Sequence, residues 1–144
     1  MEDRLIFDER YLVGIAQVDR EHQKLFELAD KIYDCLEVDI IVPMNQIRPA
    51  IAELIDYTKI HFANEEVLMD AMGYPDLDQH RELHAYLMSR IEDFDKSVER
   101  GEQFTPVDAY DFLCGWLGDH ILAKDKDFGK YLAQRAEPSS EVLL

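Results

Sequence analysis

The stretch LDQHRELHAYLMSRIEDFDKSV (residues 77–98) decides the fold. Leu77, His80, His84, Leu87, Ile91, Phe94 and Val98 recur at alternating steps of three and four, so they line one stripe of a helix. Most residues between them are charged or polar. A long helix with one such stripe needs partner helices to cover it, and three other segments carry a matching stripe. Val18, His22, Leu25, Ala29, Ile32 and Leu36 form the first. Ile47, Ile51, Leu54, Thr58, His61, Glu65, Leu68 and Met72 form the second. The last begins Tyr110, Leu113, Leu117, His120 and then slips by one residue to Ile121, Asp125, Phe128, Leu132. Four such segments with short connections specify an all-α fold, an up-down-up-down antiparallel four-helix bundle with an N-terminal arm.

The breaks between segments carry turn chemistry. Pro43 separates the first two helical patterns, Gly73-Tyr74-Pro75 the second and third, and Gly101 through Pro106 the third and fourth. Asp19 or a neighbour, Asn45, Asp76 and Thr105 are the expected caps. Pro49 falls in a first turn, and Pro106 follows Thr105 at the position proline suits best. The bundle is expected to span residues 1–134, with 135–144 as a flexible tail and no second domain.

A chain of 144 residues buries enough surface to fold without disulfide staples. Its net charge of -16, from 15 Lys+Arg against 31 Asp+Glu, repels phosphate backbones and anionic lipids. Nucleic acid and membrane are therefore not expected partners. Cys35 and Cys114 read as small core residues in a reducing compartment. With no apolar leader and no run approaching about 18 apolar residues, the expected location is cytoplasmic. Tyr57, Tyr74, Tyr86, Trp116, Phe62 and the methionines are expected mostly in the core.

What the apolar pattern does not explain is its polar intrusions. All five histidines fall on the inward stripes, joined there by Glu65 and Asp125. A buried carboxylate without a partner is costly, and one metal cluster satisfies all seven groups at once. His61 and Glu65 stand four apart and therefore one above the other, as do His80 and His84. His120 and Asp125 stand five apart, which turns about 140° past a full circle and rises about 7.5 Å, so the stripe must slip between them. Seven ligands exceed a single zinc site, and five imidazoles exclude calcium and magnesium as natural occupants. Two ions bridged by two carboxylates fit the count; ligand softness alone does not choose among iron, manganese, zinc and copper.

His22, the run His61-Phe62-Ala63-Asn64-Glu65, the run His80-Arg81-Glu82-Leu83-His84 and the run His120-Ile121-Leu122-Ala123-Lys124-Asp125 resemble the hemerythrin family, and more narrowly its bacterial single-domain members. The resemblance spans roughly residues 5 to 133 and includes Val13-Gly14-Ile15, Val18-Asp19, Glu65-Glu66, Met69 and Tyr74-Pro75. It implies two non-haem iron ions joined by an oxo or hydroxo bridge. His80, His84 and His120 would hold one, His22 and His61 the other, with Glu65 and Asp125 bridging. It also implies reversible O2 binding on the two-histidine side, in a pocket of Phe62, Trp116, Leu117 and Ile121. Two positions depart from the family pattern. Phe7 is the arm's nearest aromatic where a tryptophan is common, and Leu83 stands where an acid is common.

The resemblance leaves three roles: O2 storage, delivery or scavenging without catalysis; O2 or redox sensing through a separate protein partner; and a di-iron peroxidase, oxidase or NO-handling enzyme. Glu66 is expected to point away from the metals. Only Glu65 and Asp125 then face them, which favours binding over turnover.

Overall fold

The computed structural model describes residues 4–36 and 47–136. Pro43 and Asn45 lie outside them, as does the tail beyond Ala136. Helices α1 (Ala16–Leu36), α2 (Arg48–Ala71), α3 (Leu77–Glu99) and α4 (Pro106–His120) are followed by a π-helical turn, Ile121–Asp125, that leads directly into α5 (Lys126–Ala136). The segments α4, π-turn and α5 form the fourth rod. The rods α1/α2, α2/α3, α3/α4 and α1/α4 pack side by side and close the four-helix bundle.

Two helix ends use the same device. Gly73 (φ 66°) ends α2 and Gly101 (φ 86°) ends α3, each in the left-handed region that other residues avoid. The Tyr74 amide bonds back to Met69 O at 2.9 Å and the Glu102 amide to Ser97 O at 3.1 Å, which satisfies carbonyls the helix leaves free. Thr105 caps α4 by accepting from the Asp108 amide at 3.1 Å, with Pro106 at the first helical position. Pro49 sits in the first turn of α2, where its missing N–H costs no bond. Asp76 precedes α3 without a side-chain capping bond.

Asp19 does something other than cap. Helix α1 begins three residues before it, and its carboxylate accepts from the Val13 amide at 2.8 Å and the Gly14 amide at 3.2 Å. It thereby tethers the arm. The Leu5 amide donates to the Tyr110 hydroxyl at 3.1 Å, and Phe7 and Tyr11 pack on Phe26 with ring centroids 5.2 and 4.9 Å away. At the other end of the arm, Val13 O lies 2.1 Å from where a Cβ on residue 129 would stand. Only glycine lets the arm and α5 approach so closely.

The stripes of α1 and α3 are buried along their whole length. On α2 the stripe ends on Met69 (0% exposed) instead of Met72 (37%), because the chain turns away at Gly73. Two other expectations are corrected. Tyr86 is 56% exposed on the outer face of α3, and Cys35 lies on the surface of α1 while Cys114 is fully enclosed. Helix α5 runs through Ala136, two residues past the expected boundary, and Arg135 donates to Met72 O. No helix among the described residues is long and apolar enough to cross a membrane.

Candidate metal centre

The two ends of the bundle are built differently. At one end Ile32, Leu36, Ile47, Ile51, Ile91, Phe94, Val98 and Leu113 fill the space between the rods. At the other, the same inward positions bring together His22 from α1, His61 and Glu65 from α2, His80 and His84 from α3, His120 from α4 and Asp125 from the π-turn. All seven are at most 6% exposed.

The π-turn solves the awkward spacing of the last pair. The Lys126 amide bonds to Ile121 O, five residues back, which widens one turn to hold an extra residue. Asp125 consequently reaches the same depth as His120, and Asp125 Oδ1 lies 3.2 Å from His120 Nε2. The one-residue slip of the stripe is this turn.

The two carboxylates divide the imidazoles into two sets. Glu65 Oε1 faces His80 Nε2 at 2.9 Å and His84 Nε2 at 3.2 Å, whereas its Oε2 faces His61 Nε2 at 3.8 Å and His22 Nε2 at 3.9 Å. Asp125 Oδ1 faces His80 at 3.1 Å and His120 at 3.2 Å, and its Oδ2 faces His22 at 3.0 Å. Glu65 thus splits its oxygens between His80 with His84 and His61 with His22, and Asp125 splits its own between His80 with His120 and His22. Within each set the donor atoms lie within 4.8 Å of one another.

Of these distances only His80 Nε2 to Glu65 Oε1, at 2.9 Å, is a hydrogen bond among the described residues. His22 Nε2, His61 Nε2, His84 Nε2, His120 Nε2, Glu65 Oε2 and both Asp125 oxygens are buried without a hydrogen-bond partner. Several approach an opposite partner to 3.0–3.2 Å but out of line for a shared proton. Neighbouring donors around an octahedral ion lie about 3 Å apart, because bonds of about 2.1 Å span such an edge. So many uncompensated buried polar atoms would destabilise the fold, and donors spaced as polyhedron edges fit two metal ions.

Outer contacts aim the rings. His61 Nδ1 meets Glu21 Oε1 at 2.7 Å, and Glu21 Oε2 accepts from Asn64 Nδ2 at 2.9 Å and Gln17 Nε2 at 3.2 Å. His84 Nδ1 meets Glu66 Oε2 at 2.7 Å, with Arg81 Nε 3.5 Å from the other Glu66 oxygen. Glu66 points away from the centre, as expected, but it is not idle. It leaves the helix sideways and reaches across to α3. A carboxylate on the outer nitrogen fixes tautomer and orientation so that Nε2 faces inward. The sequence signal was an acid next to an inward donor, Glu21 beside His22 and Glu66 beside Glu65, which is too common to single out.

Burial opposes charge on Asp125, Glu65, His80 and His61, and their neighbours overcome it. Burial would raise Asp125, yet His120, His22 and His80 hold its carboxyl well below the usual carboxylate range. Glu65 is lowered against burial and against Asp125 by His80, His84 and His61. Burial would lower His80, but Asp125 and Glu65 push it up to about 9. His61 is also raised against burial, chiefly by Glu21. The carboxylates stay ionised and attract cations, protons or metal.

One flank of the centre is apolar. The Phe62 ring stacks on His84 with centroids 3.7 Å apart and planes 3° from parallel. Trp116 stands 5.8 Å from Phe62 and 6.1 Å from His120. Leu117 and Ile121, at 2% and 0% exposure, bracket His120 on the same rod.

A family model described as Hemerythrin HHE cation binding domain matches residues 13–132. The bacteriohemerythrin of Clostridium acetobutylicum is 31% identical over 125 residues, covering 85% of this chain and 97% of that protein. Myohemerythrin-1 of Phascolopsis gouldii is 28% identical over 120 residues, covering 83% and 87%. A crystal structure of wild-type hemerythrin superposes with a TM-score of 0.77 at 26% identity, covering 88% of this chain and 95% of that one. With the bundle, the seven inward donors and these matches in agreement, the chain belongs to the hemerythrin family.

Proposed function

We propose that this protein binds O2 reversibly at a non-haem di-iron centre and acts as a binder rather than an enzyme. His80, His84 and His120 would hold one iron and His22 and His61 the other, with Glu65 and Asp125 serving both. The observation that carries this reading is the split of the carboxylate oxygens between the two imidazole sets. It gives one ion five protein donors and the other four. The side with fewer donors, that of His22 and His61, is where an outside ligand would find room.

When bound, the iron pair supplies the electrons that O2 takes up and returns. The chain's own residues do the rest. Phe62, which stacks on His84 and also lies 5.9 Å from His61, would with Trp116, Leu117 and Ile121 wall the O2 pocket, and their apolar surface would exclude the water and anions that displace it. Glu21 and Glu66 spend their charge on outer imidazole nitrogens, so no further carboxylate faces the metals. An imidazole-rich, carboxylate-poor shell stabilises high oxidation states less, which favours release over O–O cleavage.

The test is the visible absorption spectrum of protein from an iron-supplied host, recorded as isolated, after anaerobic reduction and after readmitting air. Charge-transfer bands should bleach on reduction and return in air as a distinct oxygenated form that decays slowly. A reduced protein that passes straight to the diferric spectrum would move the enzyme and sensor readings ahead. Absence of both bands and iron would end the di-iron reading.

A further inference from the structure

The centre has a second flank, and it carries charged side chains. A cleft of about 220 Å³ opens beside the α2–α3 turn, lined among others by Tyr74, Asp76, Lys124 and Asp127, and its inner wall is His80. We propose that this cleft is the passage by which divalent metal ions enter and leave the centre, with Asp76 and Asp127 drawing the ion in and His80 receiving it. The proposal rests on the dinuclear reading above.

A dication cannot cross the Phe62–Trp116 flank, because stripping its water against apolar side chains costs many kcal/mol. It needs a path lined by oxygen donors that ends on a ligand. His80 is the centre residue at the end of such a path. It is 4% exposed, against 0% to 2% for His22, His61, Glu65, His84 and Asp125. His120, at 6%, stands on the apolar flank beside Trp116 instead.

His80 is also the ring least restrained from outside. His61 and His84 have their outer nitrogens pinned by Glu21 and Glu66 at 2.7 Å. The outer nitrogens of His22 and His120 are sealed in the core. His80 uses Nε2 on Glu65 and Asp125, at 2.9 and 3.1 Å, and among the described residues nothing holds its other nitrogen. It is therefore the ligand ring whose cleft side carries no tether among the described residues. Asp76 and Asp127 are both exposed, and Asp76 makes no capping bond, so neither carboxylate is committed to the fold. Lys124 opposes them, which supplies a test of sign.

The experiment follows Co2+ uptake by metal-free full-length protein through its absorption, and Co2+ release to an added chelator. The double variant D76N/D127N should load at least fivefold more slowly and release more slowly by a similar factor. Groups that steady an ion in a passage lower the barrier in both directions, so the final two ions per chain should be unchanged. D93N/D108N, which removes two exposed charges from the other end of the bundle, should change the loading rate less than twofold. Lys124→Gln should load faster than the unaltered chain. The proposal is overturned if D76N/D127N loads as fast as D93N/D108N, or if Lys124→Gln slows loading. Failure of the unaltered protein to take up two ions is a different result and strikes the dinuclear reading instead.

Discussion

The apolar end and the centre end of the bundle occupy equivalent positions on the same four rods, yet they are stabilised by opposite physics. At the apolar end, buried aliphatic side chains such as Ile32, Ile51, Ile91 and Leu113 each contribute about 1.5–3 kcal/mol simply by leaving water. At the centre end the same stripe positions carry five imidazoles and two carboxylates, and burial alone penalises them. The apolar end needs only packing. The centre end needs an occupant, so the fold is expected to be locally incomplete until metal binds.

The sharpest way to break this contrast is at the bridge. Asp125→Ala removes the oxygens that serve both imidazole sets, and it is expected to abolish binding of both metal ions. Elemental analysis reads the result, and a variant that keeps two ions per chain would refute the bridging role. His80→Ala should lose one iron and most O2 binding. Removing metal from the unaltered protein should increase amide hydrogen exchange around His22, His61, His80 and His120 while leaving the Ile91 and Leu113 region protected. Uniform loosening would mean that the two ends are not energetically distinct.

At the apolar end, Ile91→Ala should cost about 2–5 kcal/mol in denaturant unfolding while metal content stays unchanged. Gly129→Ala forces the arm off α5 and should cost about 1–3 kcal/mol; no loss would show that the arm yields freely. A smaller effect is expected from alkali. Burial pushes the Tyr110 phenol, which anchors the arm through Leu5, up to about 12 from an ordinary 10.0. Below pH 10 neither the folded nor the unfolded chain ionises it, so its contribution is complete. As pH rises from 10 toward 12 the unfolded chain ionises first, and that stability is lost. Tyr110→Phe should flatten this part of the stability profile. The least intrusive check is thiol counting: Cys35 should react in the native protein. Cys114, whose thiol burial pushes up, should react only on unfolding.

The helices were legible because a three-four repeat has one geometric solution, and Gly73, Gly101 and Thr105-Pro106 mark breaks with chemistry of their own. The seven inward donors were legible because polar residues on an otherwise apolar stripe conflict with burial. Met72, Tyr86 and Cys35 were misread for one reason: periodicity locates a face, but only the neighbouring rod determines how far that face is covered.

By itself the sequence determined the bundle, the order of its rods and the identity of the inward donors, since these depend on periods counted along one chain. The tertiary structure decided the rest. It set which carboxylate oxygen faces which imidazoles, that Glu21 and Glu66 aim His61 and His84, that a π-turn brings Asp125 level with His120, and that His80 borders a cleft with charged walls. Those facts depend on distances between different rods, which sequence spacing within one helix does not contain.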